Sequence, residues 1–110
     1  MKRVMIMGAG AQGSTIAKRL NEEEHVTEII CADYDQKAAA AVGATLSKGK
    51  AVKVNAGDIG DIVKAARGVD IIVNGLPIEY NLNVMEAALE TGASYQDLCM
   101  TDIGGKSAEA

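Results

Sequence analysis

The sequence predicts a doubly wound α/β fold, a parallel sheet of about five strands in the order 3-2-1-4-5 with helices on both faces. A nearly unbroken apolar run, Arg3-Val4-Met5-Ile6-Met7, opens the chain and stops at glycine, as a strand buried on both faces does. Strand-like runs then alternate with helical spacing in the order βαβαβαβαβ, joined by short connections. Several of these runs leave through polar or glycine-rich stretches. The right-handed crossover rule turns such a succession into an open parallel sheet covered on both sides.

The elements follow in order. Residues 3–7 form the first strand. From Ala11 to about Glu24, Ile16, Ala17 and Leu20 recur at helical spacing, while Lys18, Arg19, Glu22, Glu23 and Glu24 suit solvent. Residues 27–32, rich in β-branched side chains, make a second strand that exits at Asp33-Tyr34-Asp35. The alanine-rich residues 36–42 favour a second helix, with Gly43 as its stop. A short strand around residues 52–54 leads through Asn55-Ala56-Gly57-Asp58 into a helix with Ile59, Ile62, Val63 and Ala66 on one face and Gly68 at its end. Residues 69–73 are the fourth strand and Asn74-Gly75-Leu76-Pro77 a turn. Leu82, Met85, Ala88 and Leu89 mark a fourth helix closed by Gly92, and residues 94–98 a fifth strand. Residues 1–103 read as one domain and 104–110 as a flexible tail or the start of a further element.

Bulk properties narrow the function. At 110 residues the chain is the size of one domain, able to bury roughly two-thirds of the surface its unfolded form exposes. Apolar residues make up 48% of it, with no Trp or Phe and only three Tyr, so the core has to be aliphatic. A net charge of −4 with scattered basic residues offers no phosphate-tracking stripe, and nucleic acid is not an expected partner. Residues 4–7 are too few for a signal-peptide core or a membrane span. Cys31 and Cys99 have neither CxxC spacing nor a nearby His, which argues against a metal site. The expectation is a cytoplasmic protein without metal or membrane attachment. Cys31 reads as a small buried hydrophobe, and Cys99 falls at the polar edge of the sheet.

The chemistry concentrates in Gly8-Ala9-Gly10-Ala11-Gln12-Gly13, which joins the first strand to the first helix. In a Rossmann-type loop Gly8 permits the tight turn, Gly10 clears space for a pyrophosphate and Gly13 lets helix and strand pack closely. Ala11, Gln12 and Gly13 would aim backbone N–H groups at the phosphates from the positive end of the helix. Asp33 ends the second strand about 20 residues beyond Gly13, the spacing of the acid that accepts hydrogen bonds from ribose hydroxyls. A carboxylate there favours NAD over NADP, whose 2′-phosphate it repels. Tyr34 adjoins it, and Lys37 is the cation expected to approach a 2′-phosphate. The exits of the third and fourth strands share the edge of the glycine loop. Asn55 and Ala56 would flank the adenine there, with Asn74, Gly75, Leu76 and Pro77 along the path to the nicotinamide ribose. Ordinary turn formation is the competing account of those residues.

The glycine loop, Asn74-Gly75-Leu76-Pro77 and Gly92-Ala93-Ser94-Tyr95-Gln96-Asp97-Leu98 together resemble the N-terminal domain of the saccharopine dehydrogenase family, which includes lysine 6-dehydrogenase-like enzymes. The resemblance spans nearly the whole chain. It implies an NAD(P)-dependent oxidoreductase acting at a carbon–nitrogen bond of an amino acid. It also implies phosphate binding by Gly8, Gly10, Gln12 and Gly13, ribose binding by Asp33, and adenine contact at Asn55 and Ala56, where an Asp-Ala pair is usual. The resemblance implies a substrate domain that is expected to lie outside these residues, and Ile78 stands where several family members have a tyrosine or another polar group. The resemblance therefore names no catalytic residue. The expected role is the cofactor-binding part of a dehydrogenase, inactive alone, with a homodimer as one compatible assembly. The competing reading is a self-standing NAD(H)-sensing module of the potassium-transport type, which shares the glycine loop and the strand-end acid.

Overall fold

The computed structural model describes residues 2–97, and the expected architecture is present. Strands β1 (Lys2–Met7), β2 (Val26–Asp33), β3 (Gly49–Lys53), β4 (Ile71–Asn74) and β5 (Ser94–Asp97) alternate with helices α1 (Ala11–Asn21), α2 (Gln36–Gly43), α3 (Ile59–Ala66) and α4 (Asn81–Thr91). All neighbouring strands are parallel, in the order β3-β2-β1-β4-β5. The expected Leu98 of the last strand, Cys99 and the tail 104–110 lie outside the described residues.

Two cores fill the two faces of the sheet. On one, Met5, Met7, Ile30, Ala32 and Ile72 pack with Ile62 and Ala66 of α3 and with Val84, Ala87 and Ala88 of α4. On the other, Val4, Ile6, Ile29, Cys31 and Val73 pack with Ala17 of α1 and Leu46 after α2. Burial pushes the Cys31 thiol above its ordinary range, as expected for a cysteine serving as a small apolar side chain.

Several boundaries differ from the sequence pattern for identifiable reasons. Helix α1 stops at Asn21 because the amides of Glu22 and Glu23 turn back onto Arg19 and Leu20, leaving the glutamates outside it. Strand β3 begins at Gly49, ahead of its apolar residues. It is an edge strand held by backbone pairing to β2, so Lys50 extends into solvent without disturbing the ladder. Gly43 is not a left-handed stop. Helix α2 runs through it, and an added Cβ would press within 3.3 Å of the Lys50 backbone, so it is a close-packing glycine. By contrast Gly92 caps α4 with φ +80°.

Helix α4 turns a different side inward from the one its large residues mark. Val84, Ala87 and Ala88 are buried, whereas Leu82, Met85 and Leu89 are exposed, together with Ile78 in the short 3₁₀ turn before the helix. Small side chains let α4 lie close to α3 and the sheet. Coverage is also uneven on the α1 side. There Ile16 and Leu20 join Val4, Ile71 and Val73 around a shallow apolar groove of about 250 Å³. Among the described residues no helix is long and apolar enough to cross a membrane.

One ion-pair network crosses three strands. Glu28 in β2 accepts from Arg3 Nε of β1 and Lys50 Nζ of β3, each at 2.7 Å. Hydrogen bonds from Lys50 and then Arg3 hold the Glu28 carboxyl below its ordinary 4.5. A folded-state value below the unfolded one stabilises the protein above pH 4.5, and that contribution is lost as pH falls through the folded value. Both cations are substantially exposed, so the contribution is screened. Glu28→Gln is expected to cost about 0.5–1 kcal/mol at pH 7. Urea unfolding across pH should show the gap to the unsubstituted chain closing in acid; a constant gap would remove the network from the explanation.

Candidate functional site

The site begins where β1 meets α1. Gly8 takes φ +101°, and a side chain there would meet the Gly75 carbonyl and Leu76 at 3.2–3.3 Å. Gly13, buried in the first turn of α1, faces the Gly8 carbonyl so closely that an added Cβ would collide with it. Gly10 is different. Its φ of −77° is open to any residue, and nothing lies within 4 Å of where its Cβ would be. The protein's own packing does not require glycine there, and the missing side chain leaves the backbone open to close approach by a ligand. Gly10 caps α1 without a side-chain hydrogen bond, no acid occupies the first turn, and Ala11 and Gln12 are exposed. The positive end of the helix is thus uncompensated by side chains, suited to a pyrophosphate.

Asp33 faces this loop. Its Oδ2 accepts from the Ala9 amide at 2.8 Å and its Oδ1 from the Asp35 amide at 2.9 Å. The carboxylate therefore ties the glycine loop to the end of β2. The Ala9 contribution was not legible from the motif, because it is made by a backbone amide. Asp35 in turn caps α2, accepting from the Lys37 and Ala38 amides.

Beside the loop lies a cleft of about 400 Å³ lined by Met7, Asp33, Tyr34, Val54, Asn55, Ala56, Leu76 and Tyr80. It brings together five residues anticipated from the sequence: Asp33, Tyr34, Asn55, Ala56 and Leu76. Met7, Val54 and Tyr80 were not anticipated. Tyr80 follows Leu76 by one turn, and the strand-end positions of Met7 and Val54 were the available signals. Asn55 uses its side-chain oxygen to accept from the Gly57 amide, and its backbone amide donates to Asp61. The Ala56 carbonyl accepts from Asn83 of α4, which fixes the cleft floor. A mostly apolar hollow with a carboxylate at its mouth has the character of an adenosine site.

Asn74 does not line the cleft. It is fully buried, and its Nδ2 donates to Asn81 Oδ1 at 2.9 Å and Tyr95 Oη at 3.0 Å, while its Oδ1 accepts from the Leu76 amide at 3.1 Å. Asn81 and Tyr95 both donate to Asp97 Oδ2. The expected nicotinamide-path residue is instead a bracket that shapes the Gly75-Leu76 turn. Gly75 donates its amide to the Met7 carbonyl next to Gly8, and Pro77 is exposed at the start of the 3₁₀ turn.

A family model described as the saccharopine dehydrogenase NADP binding domain matches residues 4–110. The chain belongs to the saccharopine dehydrogenase family. It is 35% identical over 104 residues to carboxyaminopropylagmatine dehydrogenase of Synechocystis sp., a match covering 88% of this chain and 25% of that protein. Apo saccharopine dehydrogenase (L-Glu forming) of Saccharomyces cerevisiae superposes with a TM-score of 0.80 at 18% identity, over 94% of this chain and 24% of that one. Uronate dehydrogenase of Agrobacterium tumefaciens gives 0.62 at 22% identity, over 84% and 38%. The two structures share the fold. The chain corresponds to the family's nucleotide-binding domain and spans a quarter of its Synechocystis relative. Its cofactor class is a nicotinamide dinucleotide.

The glycine geometry separates two substitutions that the motif treats alike. Gly13→Ala should cost about 1–3 kcal/mol by overpacking. Gly10→Ala should cost under about 1 kcal/mol, a helix-cap effect, yet weaken dinucleotide binding tenfold or more. Thermal melts paired with NADH titrations distinguish them; full binding by Gly10→Ala would sink the pyrophosphate assignment.

Proposed function

We propose that the chain is the cofactor-binding part of an NAD(P)-dependent oxidoreductase acting on a carbon–nitrogen bond of an amino acid or amino-acid-like substrate. The observation that carries the reading is Gly10, a glycine whose surroundings leave room for a pyrophosphate at an uncapped helix end, with Asp33 beside it. Gly8, Ala11, Gln12 and Gly13 would surround the pyrophosphate. Asp33 would accept from the ribose hydroxyls, and the apolar cleft would take the adenine between Tyr34 and the Asn55-Ala56 turn. Gly75, Leu76 and Pro77 would border the route toward the nicotinamide. The bound cofactor supplies hydride chemistry, and the protein supplies its orientation.

Support for the reaction class comes from relatives, since the Synechocystis and yeast proteins are both dehydrogenases by name. Support for the form of the cofactor divides. The family description names NADP, whereas the Asp33 carboxylate at the ribose position favours NAD. We take NAD as the preferred dinucleotide. Family membership leaves the NAD(H)-sensing alternative without an observation in its favour.

Isothermal titration of the chain with NADH and NADPH tests this. NADH should bind in the micromolar range or weaker; no binding of either at millimolar concentration would end the proposal. The double duty of Asp33 refines the substitution to use. Asp33→Asn keeps an oxygen for the Ala9 amide and removes the charge, so it should narrow the NADH preference by roughly three- to tenfold. Asp33→Ser, too short to reach the loop, should weaken both cofactors.

A further inference from the structure

We propose that Lys53 is the cofactor-selecting cation of this cleft, poised beside Asp33 to meet a 2′-phosphate so that the site accepts NADP as well as NAD. The proposal rests on the reading of the cleft as a dinucleotide site and goes beyond it in assigning a residue that the glycine motif does not contain. Strands β2 and β3 run parallel with Asp33 aligned to Lys53, and the Val54 amide donates to the Asp33 carbonyl at 3.0 Å. The two strand ends are thereby locked side by side. From there Lys53 places its ammonium 4.9 Å from the centroid of the Tyr34 ring, and Tyr34 is itself part of the cleft wall.

The partners of the neighbouring charges point the same way. Both Asp33 oxygens accept backbone amides, and the Asp35 carboxylate is engaged with the first turn of α2. Those donors partly neutralise the acids that would repel a phosphate. Lys50, three residues earlier on β3, is committed to Glu28 at 2.7 Å. Lys53, among the described residues, pairs with no carboxylate and rests on an aromatic face. A ring quadrupole holds a cation loosely compared with a doubly charged phosphate. The lysine stem is long and flexible enough to swing from the ring to a group on the 2′-oxygen. The ring keeps the cation near the site when the ribose is unphosphorylated, and NADP recruits it.

This arrangement accounts for a carboxylate at the ribose position in a family described by NADP binding. Asp33 disfavours the 2′-phosphate, Lys53 offsets that repulsion, and the net preference is small. Lys37, the cation suggested by the sequence, donates its backbone amide to Asp35, and it is Lys53 whose ammonium lies over the Tyr34 ring.

Titration of the chain and its Lys53→Gln, Lys53→Arg and Lys37→Gln variants with NADH and NADPH tests the assignment. The unsubstituted chain should bind NADPH within about tenfold of NADH. Lys53→Gln should weaken NADPH about three- to tenfold while leaving NADH within about twofold, and Lys53→Arg should retain NADPH binding. Lys37→Gln should change neither by more than about twofold. Rejection of NADPH by the unsubstituted chain, equal loss of both cofactors in Lys53→Gln, or a selective loss in Lys37→Gln instead, would each overturn the role of Lys53 and leave the dinucleotide site standing. Failure of both cofactors to bind the unsubstituted chain would overturn the site and Lys53 together.

Discussion

The approach of α1 to the end of β1, close enough that only hydrogen fits on Gly13 against the Gly8 carbonyl, is the constraint on which the site depends. It brings the start of the helix over the carboxyl edge of the sheet, so that its first amides open onto the place where β1, β2 and β4 all end. A larger residue at Gly13 would move the helix outward and carry the Gly10 hollow with it. Gly8 completes the geometry. Its positive φ turns the chain out of β1, and its α-carbon lies against the Gly75-Leu76 turn from β4. Three strand ends thus converge through glycines that are needed for different physical reasons.

Asp33 links this geometry to electrostatics. Its two backbone hydrogen bonds hold the loop and the β2 exit together, which orders the site before a ligand arrives and lowers the entropy lost on binding. The same bonds draw negative charge toward the amides, making the carboxylate a milder opponent of phosphate than a free one. On the proposed reading, specificity would be a balance between Asp33 and Lys53 rather than the property of a single residue.

The legible parts of the fold were those where backbone and side chains obey the same pattern. Central strand β1 shows its burial as an unbroken apolar run, and the glycine loop follows because close packing and positive φ both demand glycine. Edge strand β3 was read short because backbone pairing to β2 tolerates Gly49 and Lys50, which carry no apolar signal. Helix α4 was read from Leu82, Met85, Ala88 and Leu89, yet of these only Ala88 is buried, and the helix packs through it with Val84 and Ala87, whose small side chains permit a closer approach. That Asp33 and Ala56 lie along one cleft was legible because both stand where parallel strands leave the same edge of the sheet. The burial of Asn74 was not legible because an amide looks equally polar whether it faces a ligand or brackets a turn. Only its partners Asn81 and Tyr95, 7 and 21 residues away, distinguish the two. The nearness of Lys53 to Asp33 was not legible for a related reason, since it is a matter of strand register.

The two faces of the sheet contribute unequally to the cleft. Met7, Val54 and Ala56, which line it, are also members of the core that α3 and α4 complete, and Leu76 and Tyr80 pack against that same core. The cleft is therefore an extension of a finished hydrophobic core, and its shape is set by the packing that stabilises the fold. The opposite face, with its apolar groove between α1 and β4, supplies none of the residues lining that cleft. The cleft is rooted in the α3 and α4 side of the domain, while the glycine loop beside it is set by the approach of α1 to β1.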